Sequence, residues 1–331
     1  MAGFNLKNML AGAARIAFPF ILGLGILWWM YRGTDWAQSF ACVADARFWL
    51  PMSLSLLFGI VPQVLRALRW KMAIEPLGEP VRLGTCVDAV FMSYAASLVV
   101  PRVGEVTRCG TLKKYDGTSF TQSLGTVVTE RLVDSVVMLL LTALAFLMGL
   151  PMMLRFLSET GTSLSGILQR FTGTGYLVTL VCLATLPLLV AFLMSRYRIL
   201  QKGKSLLQGL WEGITSLRRL DRVGLYAFYS IAIWIGYFLH FYIAFFCFDF
   251  TAGISPVAAF LIFCVGSFAV LVPTPNGAGP WHFAVKTMLV LYGVAEPQAI
   301  LFALVVHTVQ TALVVVLGVG GFAHLLWRGK R

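Results

Sequence analysis

The sequence predicts an all-α polytopic membrane protein with about six transmembrane helices and two re-entrant helical hairpins. Three observations carry that prediction. Hydrophobic residues make up 59% of the 331 residues and charged residues 12%, with a mean hydropathy of +0.83, far from the balance of a soluble domain. Apolar tracts of about 20 residues, enough to cross a hydrocarbon layer of about 30 Å as helix, recur along the whole length, so the chain reads as one integral membrane domain over 1–331. Two further apolar regions are broken in their middles, at SLVVPRVGEVTR and at AVLVPTPNGAGPWH.

Taken in order, breakers bound spans near 16–31, 48–68, 120–150, 174–195, 223–248 and 297–326. The first apolar run, Ile16 to Trp29, follows Lys7 and Arg15 like a secretory signal, but several more spans succeed it and it reads as an uncleaved helix. The broken regions, 84–117 and 255–294, leave halves too short to span comfortably. A backbone that breaks at membrane depth needs its freed N–H and C=O groups met by protein or by a water-filled cavity. Both regions are therefore read as re-entrant hairpins.

Charge sets the orientation. Six crossings and two hairpins place eighteen lysines and arginines on one side and four, Arg32, Arg47, Arg155 and Arg170, on the other. By the positive-inside rule both termini face the cytoplasm, in the cytoplasmic (inner) membrane. The net charge of +12 lies in short clusters at the ends of apolar segments, which suits an anionic membrane surface rather than nucleic acid. In this arrangement the first hairpin enters from the cytoplasm and the second from outside, the mark of an inverted repeat with halves 48–150 and 223–326. LVVP at 98–101 echoes VLVP at 270–273, and aligning Thr121 with Pro297 sets Arg131 against His307 and Asp134 against Gln310.

Ionisable side chains at bilayer depth cost about 2.5–3.5 kcal/mol on insertion scales and ask for a reason. At about 100° per residue, Glu130, Arg131 and Asp134 share one arc of the 120–150 helix and face the bundle interior. Arg102, Glu105 and Arg108 stand at the first break. Guanidinium forks match phosphate oxygens, and a broken helix aims N–H groups at an anion, so a phosphate-bearing ligand fits. At the second break Asn276, Gly277, Ala278 and Gly279 permit close backbone approach, with His282 and Lys286 following as ligand-facing candidates. Arg66, Arg69 and Trp70 end the 48–68 span and read as snorkelling interface anchors with access to lipid headgroups. The six cysteines show no metal-ligand spacing, and His240, His307 and His324 form no ligand pattern, with His307 alone placed near a cavity. No catalytic motif, metal site or cofactor is expected.

RALRWKMAIEPLG, SLVVPRVGEVTR, TERLVD and VPTPNGAGPWHFAV, in that order over nearly the whole chain, resemble the lysylphosphatidylglycerol synthase transmembrane family, also described as flippase-like. Where that family carries an acidic residue after the late proline–glycine block, this chain reads Gly279, Pro280, Trp281, His282. The resemblance assigns importance to Arg69, Trp70, Pro101, Arg102, Gly104, Glu105, Arg108, Glu130, Arg131, Asp134 and Pro273 to Gly279. It implies movement of a phospholipid or polyprenyl-linked lipid between leaflets. The chain ends at Arg331, directly after the last apolar helix, so the aminoacyl-transfer step of some family members is not expected. The readings are therefore a non-enzymatic lipid transporter, a membrane enzyme using Glu130 or Asp134 as base, or a scaffold of an envelope-synthesis complex.

Overall fold

The computed structural model describes residues 20–21, 23–32, 43–100, 103–159, 211–212, 215–216, 220–272 and 274–328, with side chains described to Gly149 in the long helix that runs to Glu159. The expected span at 174–195 lies outside the described residues, as do Arg102, Pro101 and Pro273. Of the span at 16–31, helix is seen over 23–31. Eight longer helices follow: α1 Ala46–Ile74, α2 Leu83–Val99, α3 Gly104–Asp116, α4 Phe120–Glu159, α5 Val223–Ile243, α6 Pro256–Ala269, α7 Pro280–Leu291 and α8 Glu296–Arg328. No strand occurs among the described residues, and α1, α4, α5 and α8 are long and apolar enough to cross a membrane.

The breakers act where the sequence places them. Val100, ahead of Pro101, is extended at φ −131° and ψ 117°, and ends α2, because a following proline disfavours the helical conformation. Gly117 closes α3 in the left-handed region. Ser255 caps α6 through the Ala258 N–H, with Pro256 at the first helical position. After α6 the chain turns through a short 3₁₀ segment, Pro275–Gly277, and positive φ at Asn276, Gly277 and Gly279 sets the start of α7. The arms α2 and α3, of 17 and 13 residues, pack on each other, as do α6 and α7, of 14 and 12 residues.

Helix order repeats: a long helix, a hairpin and a long helix in α1–α4, then the same in α5–α8. The most extensive packing joins α1 to α5. There Gly59 lies against His240 and Gly236 against Pro62, each so close that a Cβ would meet its neighbour within 3.0 Å. The first arm of each hairpin also packs on the last helix of the other half, α2 on α8 and α6 on α4.

Two cores hold these helices. Phe48, Phe241, Phe245 and Phe302 join α1, α5 and α8, while Trp70, Val90, Leu112 and Val127 join α1 to α4. On α4, Leu132, Val136, Leu139 and Leu147 are largely exposed while Glu130 and Asp134 are buried. A helix with its charges inside and its leucines outside is built for lipid surroundings.

Candidate functional site

The polar centre of the molecule is an arginine–carboxylate cluster where α1, α3 and α4 meet. α4 supplies Glu130 and Asp134, four residues apart and therefore one above the other on one face. α1 supplies Arg66 and Arg69, one turn apart. Arg66 Nη1 donates to Asp134 Oδ2 at 2.9 Å and also to Glu130 Oε1; Arg69 Nη2 lies 2.7 Å from Asp134 Oδ1 and 3.3 Å from Glu130 Oε1. Arg108, on the second turn of α3, donates to Glu130 Oε2 at 3.1 Å, and its guanidinium stands 4.7 Å from the Trp70 ring centre. Arg131 is half-exposed and reaches Glu130 at 3.2 Å, Glu105 at 3.8 Å and Asp134 at 3.9 Å.

This arrangement corrects the reading of Arg66, Arg69 and Trp70 as interface anchors. Arg69 and Trp70 are 0% and 1% exposed and Arg66 3%, so none reaches headgroups at the bilayer surface. Two carboxylates against one arginine on α4 leave a buried negative excess, and the α1 arginines meet it. Trp70 donates to Thr126 Oγ1 at 3.0 Å, fixing α1 against α4. The spacing that marks the pair is Arg66–Arg69 with Gln63 on one face of an apolar helix, where a surface anchor asks only for a helix end.

Three buried arginines face two buried carboxylates, leaving one uncompensated positive charge; Arg131 and Glu105 balance each other outside. Arg66 Nε, Arg69 Nε and Arg108 Nη2 are buried donors with no acceptor among the described residues. Arg66 and Arg108 line a small cavity of about 50 Å³ with Ser93, Ser97, Glu105 and Arg131, at the N-terminus of α3. The break folds tightly here: the Gly104 N–H donates to Ser97 Oγ at 3.2 Å, and a Cβ on Gly104 would sit 2.1 Å from the Ser93 carbonyl. A positive excess and a helix N-terminus adjoin this space, which suits an anion.

Arg66, Tyr94 and Arg131 also line a second cavity of about 420 Å³ that runs between the two halves to Asn276, Trp281, His307 and Gln310. Tyr94 of α2 and Tyr237 of α5 share a hydroxyl–hydroxyl hydrogen bond of 2.8 Å at its edge. His307 in turn lines a third cavity, of about 680 Å³, with Trp28, Tyr31, Arg32 and His282. His307 lines two cavities, but not alone as expected, since His240 also lines the central one.

The family model for the lysylphosphatidylglycerol synthase TM region matches residues 16–318. The chain belongs to that family. No curated protein and no solved structure matches it. Within this family member, the charged residues of the first break and of the α4 arc join the cluster: Arg108 pairs with Glu130, Glu105 with Arg131, and Glu130 and Asp134 with Arg66 and Arg69. Arg102 lies outside the described residues.

The second break differs from expectation. Its amides are already engaged: the Gly277 N–H donates to the Thr274 carbonyl at 3.2 Å, the Ala278 N–H to the Pro275 carbonyl at 2.9 Å, and the Gly279 N–H to His282 Nδ1 at 3.3 Å. They are not aimed at a phosphate. The close approach that glycine permits is to other protein: a Cβ on Gly279 would lie 2.9 Å from the Gly23 carbonyl, and one on Gly277 2.9 Å from Val270. Lys286, expected to face a ligand, donates to Glu296 Oε1 at 2.8 Å instead. Asn276 does face the central cavity, where its Nδ2 donates to Thr311 Oγ1 at 2.9 Å. Cys86, Cys109 and Cys264 carry free thiols, and no cluster of metal-binding side chains occurs among the described residues.

Proposed function

We propose that this membrane protein moves a phosphate-bearing lipid between leaflets, without chemically altering it. The observation that carries this reading is the buried arginine excess at the first break, beside a cavity between the two halves with which its own small cavity shares Arg66, Tyr94 and Arg131. In this reading the phosphate sits against Arg66, Arg108 and Arg131 beside the N-terminus of α3, the headgroup occupies the central cavity, and the acyl chains stay in the bilayer. The two hairpins act as re-entrant elements of an inverted repeat. The repeated helix order and the exchanged packing of α2 on α8 and α6 on α4 support alternating exposure of the cavity.

The family supports a lipid partner, and the charge pattern favours transport over headgroup chemistry. A general base must be free to take a proton, whereas Glu130 and Asp134 are each held by two or more arginines. The site is suited to holding an anion and letting it go.

The test is reconstitution in vesicles containing labelled phosphatidylglycerol, phosphatidic acid or phosphatidylcholine. Movement of at least one of these faster than in protein-free vesicles, with every recovered lipid unchanged in mass, is the expected result. Unaccelerated movement of all three overturns the transport reading, and a changed lipid mass replaces it with an enzyme.

A further inference from the structure

The two breaks present opposite electrostatics to a travelling anion. At the first, fixed arginines hold it. At the second, the central cavity is lined by Asn276, Gln310, His240 and His307, and its cations, Arg66 and Arg131, stand at the other end with Asp134. Beyond His307, the cation among the described residues lining the third cavity is Arg32. An anion passing between the cavities needs a compensating charge in a medium of low dielectric constant. His307 walls both cavities, and His282 lies against it with ring centres 4.3 Å apart.

We propose that the His282–His307 pair carries one proton across with each anionic headgroup, making this a proton-coupled lipid transporter. The inference rests on the transport reading above.

Hydrogen bonding fixes His282 as neutral and is compatible with a neutral His307. His282 Nδ1 accepts the Gly279 N–H, so its proton is on Nε2. The Asn276 carbonyl can only accept, so His307 Nε2 donates to it at 3.2 Å, and His307 Nδ1 accepts the Thr311 hydroxyl at 3.3 Å. A proton from water adds most readily at His307 Nδ1, because the Thr311 hydroxyl can turn from donor to acceptor. Addition at His282 Nδ1 would instead displace the Gly279 amide that starts α7. The pair takes one proton and not two, because like charges at this separation oppose each other. Tyr31 meets His282 edge-on from the 23–31 helix and Trp281 packs on His307, and among the described residues no carboxylate pairs with either ring to hold the charge permanently. An arriving phosphate supplies the counter-charge, and its departure releases the proton to water on the far side.

The test uses vesicles holding the full chain, labelled phosphatidylglycerol and an internal pH dye. Between about pH 7.5 and about pH 5.5 the wild-type rate is expected to rise about fivefold, with about one proton entering per lipid. His307→Gln, which cannot titrate, is expected to hold its rate within about twofold over the same interval, while His324→Gln, on the far part of α8, follows the wild type. If His307→Gln does not fold, the wild-type proton-to-lipid ratio decides alone. Lipid movement that is equal at both pH values with no proton flux overturns the coupling and leaves transport standing. No lipid movement at either pH removes the transport reading, and the coupling with it.

Discussion

The two helix breaks solve the same problem in different ways. Each interrupts a helical hairpin and must satisfy the backbone it frees. At the first, the Gly104 amide goes to Ser97 and buried arginines are balanced against carboxylates on α4. At the second, the amides close on local carbonyls and on His282, and Asn276, Thr311 and His307 form a neutral network. A charged break is expensive to disassemble and able to hold a ligand ion. A neutral one is cheaper to rearrange.

That difference is open to attack, beginning where the effect is largest. Glu130→Ala leaves Arg66 and Arg69 on Asp134 alone and takes from Arg108 its carboxylate partner. Removing one member of a buried pair costs about 3–5 kcal/mol, so the expected outcome is loss of monodisperse protein in detergent. Normal yield and thermal stability would show the charged break to be dispensable for folding. Gly279→Val comes next, since φ is +93° and the new side chain would press on the Gly23 carbonyl. Backbone strain of this kind costs about 1–3 kcal/mol, and a drop in the detergent melting temperature should accompany easier proteolysis near residues 23–31. An unchanged melting temperature would mean that the 23–31 helix does not rest on this turn.

At the neutral break, Asn276→Ala removes one side-chain hydrogen bond to Thr311 and should cost about 1 kcal/mol, well below Glu130→Ala. Equal losses in the two variants would erase the contrast. The smallest effect belongs to Lys286→Ala. Its partner Glu296 is mostly exposed, and such pairs contribute about 0–1 kcal/mol. A loss of lipid movement in Lys286→Ala with stability intact would return that lysine to the ligand site.

Much of the fold was legible because lipid imposes simple rules. Apolar length located α1, α4, α5 and α8, and proline and glycine located both breaks. Helical spacing alone showed the burial of Glu130 and Asp134, whereas Arg131, expected on the same inward arc, is half-exposed. What escaped was where the partners of that arc lie. Arg66 and Arg69 are followed by Lys71 and Glu75, so local composition resembles a helix end meeting water. Only tertiary packing shows α4 beside α1. The second break was misread for a related reason: Gly277 and Gly279 advertise close approach, but a sequence does not say whether ligand or protein comes close.

The central claim is that the first break holds a lipid phosphate in transit, and Arg131 tests it most directly. It lines both the small and the central cavity, is half-exposed, and leaves Glu130 and Asp134 with their other arginines when removed. The measurement is the rate at which labelled phosphatidylglycerol changes leaflet in vesicles, normalised to folded protein, for wild type, Arg131→Lys and Arg131→Gln. The account predicts a loss of about tenfold for Arg131→Gln and a smaller loss for Arg131→Lys, which keeps the charge without the bidentate fork. Rates equal to wild type in both folded variants would contradict it.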